Sequence, residues 1–304
     1  MRFDGLDLNL LVALEALIEE RHVSAAARRI HLSQPAVTGA LKRLREYFND
    51  ELLVQRGRRM FLTPKAETLA DPVRRALLQI RGEITRAGNF DPATTARHFV
   101  ISASDYAYTI LLSNVVVKAA TLAPAVSFEI VPPSEQANDR FDRAEIDLLL
   151  TVDKLALSGH TFTELWRDDE VVISWEGAGF EEIDEETFFA CDHAVATFGP
   201  ERRPSVADYY IDRNGWKRRV AVQLPEFGAL CQAIVGTKRL ATMHRRYALH
   251  FARLYPIKLH ETWVTFPDLI EGMQWHSVRD DDPGLRWLAG LLEEGAKELR
   301  ESRS

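Results

Sequence analysis

"SAAARRIHLSQPAVTGALKRLR", residues 24–45, joins two short helical patterns across a Leu-Ser-Gln-Pro corner. One continuous helix would avoid Pro35, because proline has no amide to donate to the preceding turn. In the first turn of a new helix that amide is not needed, so Pro35 marks a restart with Ser33 as its N-cap. Val37, Leu41, Leu44 and Phe48 then recur at helical spacing as a buried stripe, and Gln34, Thr38, Lys42 and Arg45 fall on the opposite face. Upstream, Leu10, Leu14, Leu17 and Ile18 predict a first helix over roughly residues 7–20. Ser24 reads as the N-cap of an alanine-rich second helix that another helix can approach closely.

Short helix, tight turn and second helix with an exposed polar stripe make a helix-turn-helix pattern. A charged stripe alone fits the solvated face of a three-helix bundle equally well. The next stretch favours the first reading. "ELLVQRGRRMFLTP" reads as two short strands, Leu52 to Val54 and Met60 to Leu62, around a turn carrying Arg56, Gly57, Arg58 and Arg59, a basic wing. The implied partner is double-stranded DNA. The helix that starts at Ser33, Gln34 and Pro35 would enter the major groove, where Gln34 and Thr38 address base edges. Lys42, Arg43, Arg45 and the wing arginines Arg56, Arg58 and Arg59 would neutralise phosphates.

The formal net charge of -7 argues at first against such a partner, but the average hides an asymmetry. Residues 21–65 hold ten Lys/Arg and three acids, a local +7 that leaves -14 to the rest of the chain. A length of 304 residues suggests at least two compact units, and 46% hydrophobic with 27% charged residues is an ordinary folded composition. No apolar run is long enough to cross a bilayer, so no membrane partner is expected. Asp4, Asp7 and Glu15 interrupt the apolar start, which excludes a secretory leader pattern and predicts a cytoplasmic chain. Cys191 and Cys231 lack metal or redox spacing and read as reduced thiols.

The stretch "LDLNLLVALEALIEERHVSAAARRIHLSQPAVTGALKRLREYFNDELLVQRGRRMFLTPKAETL" resembles the LysR-type transcriptional regulators, and the resemblance extends over the whole chain. The amino-terminal segment and "WHSVRDDDPGLRWL" are most similar to the subgroup that controls nodulation genes and aromatic-compound degradation. Ala66 stands where many members have glycine. The resemblance implies a promoter-binding homodimer or homotetramer that works with RNA polymerase, takes no cofactor and responds to a small-molecule effector.

The division that follows is a winged helix-turn-helix (α with a small β wing) over 1–63, a linker and dimerisation helix over 64–91, and an effector-binding α/β domain over 92–304. In the linker, Leu69, Val73, Ala76 and Ile80 form a seam that can pair with a second chain or pack on its own domain, and Pro72 is awkward within it. Beyond it, "HFVISAS", "VSFEIV", "IDLLLTV", "VVISW", "HAVATF" and "RRVAVQL" alternate with helical stretches, an α/β arrangement. By resemblance this is a pair of Rossmann-like subdomains of periplasmic-binding-protein type. Subdomain I spans about 92–167 and 274–304, and subdomain II about 168–273. The chain would cross between them near 165–170 and 268–273, with the last helix, roughly 283–301, on the first.

In such a fold a ligand lies at strand carboxyl ends and helix amino termini. Ser102, Ser104 and Thr151 end strands of the first subdomain; His193, Phe198, Phe227 and Arg246 lie across the hinge. By resemblance to aromatic-acid-responsive members, His193 and Arg246 match positions near the effector and Phe227 a hydrophobic neighbour. Phe198 and Phe227 are equally readable as core, and Arg246 as a surface ion-pair partner. The combination points to an aromatic or carboxylated effector. Two other readings stay open. A ligand-independent DNA-binding protein would share the basic module, and an enzyme would need a nucleophile motif or metal set; G-x-S-x-G is absent, and Cys191 with His193 is half a metal site at most. "RDDDP" could attract a cation, though acids before a helix more often cap it.

Overall fold

The computed structural model describes residues 6–57, 59–80 and 90–301. They form two compact units, Met1–Ala87 and Gly88–Ser304.

The first unit holds α1 (Asn9–Glu20), α2 (Val23–Arg29), α3 (Gln34–Phe48), a hairpin of β1 (Leu53–Arg56) and β2 (Arg59–Leu62), and α4 (Pro64–Gln79). Its core is the predicted stripes meeting one another: Leu10, Leu14 and Leu17 from α1, Ala26 and Ala27 from α2, and Val37, Leu41 and Leu44 from α3. Ser33 caps α3, its Oγ accepting the Ala36 amide at 3.3 Å. The cap of α2 differs from expectation. His22 Nδ1 accepts the amides of Ser24 and Ala25 at 3.2 and 3.4 Å, which frees the Ser24 hydroxyl to donate to Gln34 Oε1 at 2.9 Å. Asp50 Oδ1 accepts from the Leu52 amide at 2.7 Å and the Thr63 hydroxyl at 2.6 Å, tying the base of the wing to the start of α4. The hairpin is antiparallel with Arg56 opposite Arg59, and Gly57 takes the left-handed φ of +65° that its turn demands.

α4 runs through Pro72, which is exposed. Its apolar side is used within the unit: Ala66, Val73 and Leu77 are buried and Leu69 packs beside them. Val73 of the seam is thus buried within its own unit while Leu69, Ala76 and Ile80 keep part of their surface, and the part of the linker over 81–89 lies outside the described residues.

The second unit has two sheets. In the first, β3 (Arg97–Ser102) is flanked by parallel β4 (Val126–Val131) and β5 (Leu148–Val152). Between β3 and β4 run α5 (Asp105–Ala107), a π turn (Tyr108–Leu112) and α6 (Ser113–Leu122); α7 (Glu135–Asp142) precedes β5. β6 (Phe162–Asp168) leaves this sheet for β7 (Glu170–Trp175) of the second through one residue, Asp169. The second sheet is completed by β8 (Asp192–Phe198), β9 (Arg203–Pro204), β10 (Arg219–Leu224), β11 (Leu240–His244) and β12 (Ile257–His260). Its helices are α8 (Glu185–Ala190), α9 (Val206–Arg213), α10 (Gly228–Ile234) and α11 (Arg245–Phe251).

Residues 261–268 carry the chain back to β13 (Leu269–Gln274), which lies antiparallel between β5 and β6. The return crossing is thus earlier than 268–273, because β13 takes its hydrogen bonds from the first sheet. Gly272 permits that pairing: a Cβ there would lie 2.5 Å from the Thr163 carbonyl oxygen. α12 (Pro283–Glu301) packs on β6 and α6, hence on the first subdomain. The acidic run before it serves as a cap and in ion pairs. Asp282 Oδ1 accepts the amides of Gly284 and Leu285 at 3.0 and 3.1 Å, and its carboxylate also holds Arg97. Among the described residues no helix is long and apolar enough to cross a membrane.

Candidate functional site

Two surfaces carry recognisable chemistry, one in each unit. On the first, Ser33, Gln34, Pro35, Thr38 and Lys42 are exposed along one side of α3. The Thr38 hydroxyl donates to the Gln34 carbonyl at 2.9 Å, so its methyl is the group left for a partner. The two arginines of α3 are committed differently. Arg43 is half exposed and pairs with Asp7 at 2.7 Å. Arg45 turns back on the protein, Nε donating to the Glu51 carbonyl at 2.8 Å and Nη2 to that of Leu53 at 2.7 Å. Arg45 therefore braces the wing, a role its place on the polar stripe did not reveal. The side chains of Arg56 and Arg59 and the whole of Arg58 lie outside the described residues.

In the second unit a cavity of about 160 Å3 opens between the sheets. Each sheet reverses its strand order there, at β3/β5 in the first and β8/β11 in the second, and loops at such switch points diverge to leave a crevice. Of the seven residues expected at a ligand site, Ser104, Thr151, Phe198 and Phe227 line this cavity. Phe198 and Phe227 form its aromatic wall, ring centroids 5.1 Å apart, and Phe227 continues onto His244 at 4.6 Å. Ser104 caps α5 through the Ala107 amide at 3.1 Å, which leaves its proton available to a ligand.

Ser102, His193 and Arg246 do not line it. Ser102 is buried in β3 between β4 and β5. His193 is fully buried in β8, where Nε2 meets the Phe188 carbonyl at 2.7 Å and Nδ1 faces Arg218 at 3.4 Å. Burial and the Arg218 charge push its pKa down to about 4, so it is a neutral core imidazole. Arg246 gives its backbone amide to Asp168 Oδ2 at 3.1 Å and holds its side chain half-buried outside the cavity. His193 is the second residue of β8, at the far end of the strand from the cavity-lining Phe198, and Arg246 lies in α11, two positions beyond the cavity-lining His244.

Two titratable groups that do reach the cavity, His244 and Glu271, were not legible beforehand. His244 ends β11, and its Nδ1 lies 3.0 Å from Glu170 Oε1. Burial works against its cation, but the Glu170, Asp168 and Glu271 carboxylates prevail and hold its pKa above the usual imidazole value. Glu271 sits in β13 with Oε2 buried and unpartnered. Burial, with the Asp168 and Asp153 carboxylates and against His244, pushes it up to about 7. The available signal was a lone acid inside "LIEGM", an otherwise apolar strand. Ser134 and Ser205, N-caps of α7 and α9, also line the cavity, as does Arg203, whose Nη2 lies 2.5 Å from Glu135 Oε1. Among the described residues no group of His, Cys, Asp and Glu could hold a metal ion, and both cysteines are free.

A winged helix-turn-helix followed by a hinged pair of α/β subdomains around a cavity defines a class, the DNA-binding transcriptional regulators. Residues 8–67 match the bacterial regulatory helix-turn-helix proteins of the lysR family. Nodulation protein D 1 of Rhizobium tropici is 38% identical over 304 residues, covering 98% of both chains. A probable transcriptional regulator from Pseudomonas aeruginosa superposes with a TM-score of 0.64 at 28% identity, over 96% of this chain and 97% of that one. Full-length CbnR, solved with its target DNA, has a TM-score of 0.50 at 15% identity, over 96% and 100% of the two chains, and shares the fold. The chain belongs to the lysR family and is a transcriptional regulator.

Proposed function

We propose that this regulator is controlled by a small aromatic effector bound between the two sheets, and that it acts on promoters of catabolic or related genes. The observation that carries the reading is the cavity at the paired switch points, with residues from both subdomains in its wall. Ser104 and Thr151 hydrogen-bond the ligand, and Phe198 and Phe227 supply the apolar wall against which its ring packs. A ligand touching both sheets favours one arrangement of the subdomains over others, the differential binding that regulation requires.

On DNA, Ser33, Gln34, Pro35 and Thr38 enter the major groove, with Lys42, Arg43 and the wing arginines Arg56, Arg58 and Arg59 on the phosphates. A single such module reads few base pairs, so two copies occupy half-sites about 34–36 Å apart. CbnR, which shares the fold, was solved with its target DNA, in line with this reading.

The test is footprinting upstream of neighbouring, divergently transcribed genes, with and without a panel of small aromatic compounds. A footprint altered by a compound that binds saturably supports the reading. A footprint indifferent to every compound, with no saturable binding, identifies a ligand-independent DNA-binding protein; turnover of a compound identifies an enzyme.

A further inference from the structure

The cavity has an electrostatic character that an aromatic wall alone does not specify. Its lining includes one carboxyl, Glu271, and one imidazole, His244, and its lining guanidinium, Arg203, is already paired with Glu135. His244 is itself held by Glu170 at 3.0 Å, so its charge has a partner. Glu271 Oε2 is different: it is buried and has no hydrogen-bond partner. A buried carboxyl oxygen left unsatisfied costs free energy that a suitable ligand group restores. The groups around it are Asp168 at the end of β6, Asp153 after β5 and His244 at the end of β11, two further carboxylates against one imidazole. An anion brought to this spot would meet a surplus of negative charge, and the guanidinium that lines the cavity, Arg203, is already paired.

We infer that Glu271 is the recognition group of the cavity, and that the ligand's polar end is a hydrogen-bond donor, a hydroxyl or an ammonium, and not a carboxylate. This rests on the cavity being the effector site and narrows the aromatic-or-carboxylated class to its donor-bearing, non-anionic part. Ser104 and Thr151 then serve a second polar group of the ligand, since their hydroxyls can donate or accept.

Donation to Glu271 favours its ionised form, so binding couples to proton release. With the carboxyl ionising near 7, the ionised fraction rises about tenfold between pH 6 and pH 8, and affinity for a neutral donor rises with it. The probes are 2-naphthol, 2-naphthylmethylammonium and 2-naphthoate, one ring system with three polar ends, titrated calorimetrically into the full-length protein. Naphthol or the ammonium should bind at least tenfold tighter than naphthoate at pH 7.5, and which of the two leads tells hydroxyl from ammonium. Naphthol affinity should rise about tenfold from pH 6 to pH 8. Glu271→Gln should flatten that rise and let naphthoate approach naphthol; a rise that survives in the variant belongs to His244 and overturns the assignment. Should the variant fail to fold, proton release by the unaltered protein, read as the difference in binding heat between two buffers, carries the test, and its absence overturns the inference. Preference for naphthoate overturns this inference alone; binding by none of the three overturns the cavity reading with it.

Discussion

Asp105 Oδ2 accepts the backbone amide of Gly228 at 2.8 Å and the hydroxyl of Tyr247 at 3.0 Å. A side chain of the first subdomain thereby caps α10 of the second, whose own N-cap residue, Phe227, offers no side-chain acceptor. Glycine suits position 228, since a Cβ would lie 3.0 Å from Phe251 Cζ and 3.3 Å from the Tyr247 hydroxyl. Asp105→Ala should lower stability by about 1–2 kcal/mol, as loss of a cap does, and Asp105→Asn should recover most of it. Urea melts of the two variants decide: equal midpoints for Asp105→Ala and the parent protein would show that the cap does not hold the subdomains.

The commitments of Arg45 and Lys42 on α3 lead to opposite outcomes. Arg45→Met removes two charge-assisted bonds to wing carbonyls and should destabilise the first unit by about 1.5–3 kcal/mol. Lys42→Ala should leave stability within about 0.5 kcal/mol yet weaken binding to all DNA sequences, flattening the salt slope by about one. Thermal melts alongside fluorescence anisotropy at several salt concentrations separate the roles. An Arg45→Met protein that melts normally and loses one unit of salt slope would return Arg45 to the phosphate-contacting set.

Thr38→Ala should change base preference at one position, with total affinity for unrelated DNA preserved. Selection from a randomised duplex pool reads this directly. An unchanged consensus with uniformly weaker binding would remove Thr38 from base readout.

Val73 is 5% exposed inside its own unit, in contact range of the core that α1 and α3 share. Val73→Asp buries an unpaired carboxylate and should cost at least about 3 kcal/mol, unfolding that unit at any protein concentration. Circular dichroism over a dilution series checks it. A variant that stays fully helical and only shifts to a smaller species would restore this face to an interface between chains.

His193 makes acid a destabilising condition. Its folded pKa of about 4 lies below the 6.5 of an unperturbed imidazole, so the unfolded chain binds the proton first as pH falls. The stability from this group is full above pH 6.5 and drains away as the pH falls toward 4, by up to about 3 kcal/mol. His193→Gln should flatten the pH dependence of the urea midpoint between pH 7 and pH 4.5. A slope identical to that of the parent protein would assign the acid sensitivity to other groups.

Local signals carried the first unit: the Ser33 cap, Pro35 in the first turn and the stripe from Val37 to Phe48 all act within one helix, where sequence distance and spatial distance agree. The strands "VSFEIV" and "HAVATF" were legible for the same reason. β6, β12 and β13 were not, since Glu164, Arg167, Lys258 and Glu271 interrupt their apolar runs and their pairing partners lie far along the chain. Position along the strand decided the cavity wall too. Phe198 and Thr151 lie at strand ends and could be placed by counting, whereas His193 is the second residue of β8 and His244 the last of β11, so the one ends up in core and the other at the cavity. Arg45 and Glu271 depend on tertiary neighbours, Glu51 and Leu53 for one and Asp168 for the other, that no local pattern encodes.

Asp169 alone separates β6 from β7. A single residue supplies two soft torsions, φ and ψ, and no slack. Its carbonyl accepts the Arg245 amide at 2.8 Å, and its carboxylate takes the Arg245 Nε at 2.6 Å, while Arg245 also grips Glu261 where the return crossing begins. The two halves of the unit thus share one swivel, clamped at both passages of the chain by the same guanidinium. A connector this short makes rotation about Asp169 the least hindered relative movement of the two sheets, so a change at the cavity would be carried outward as an angle.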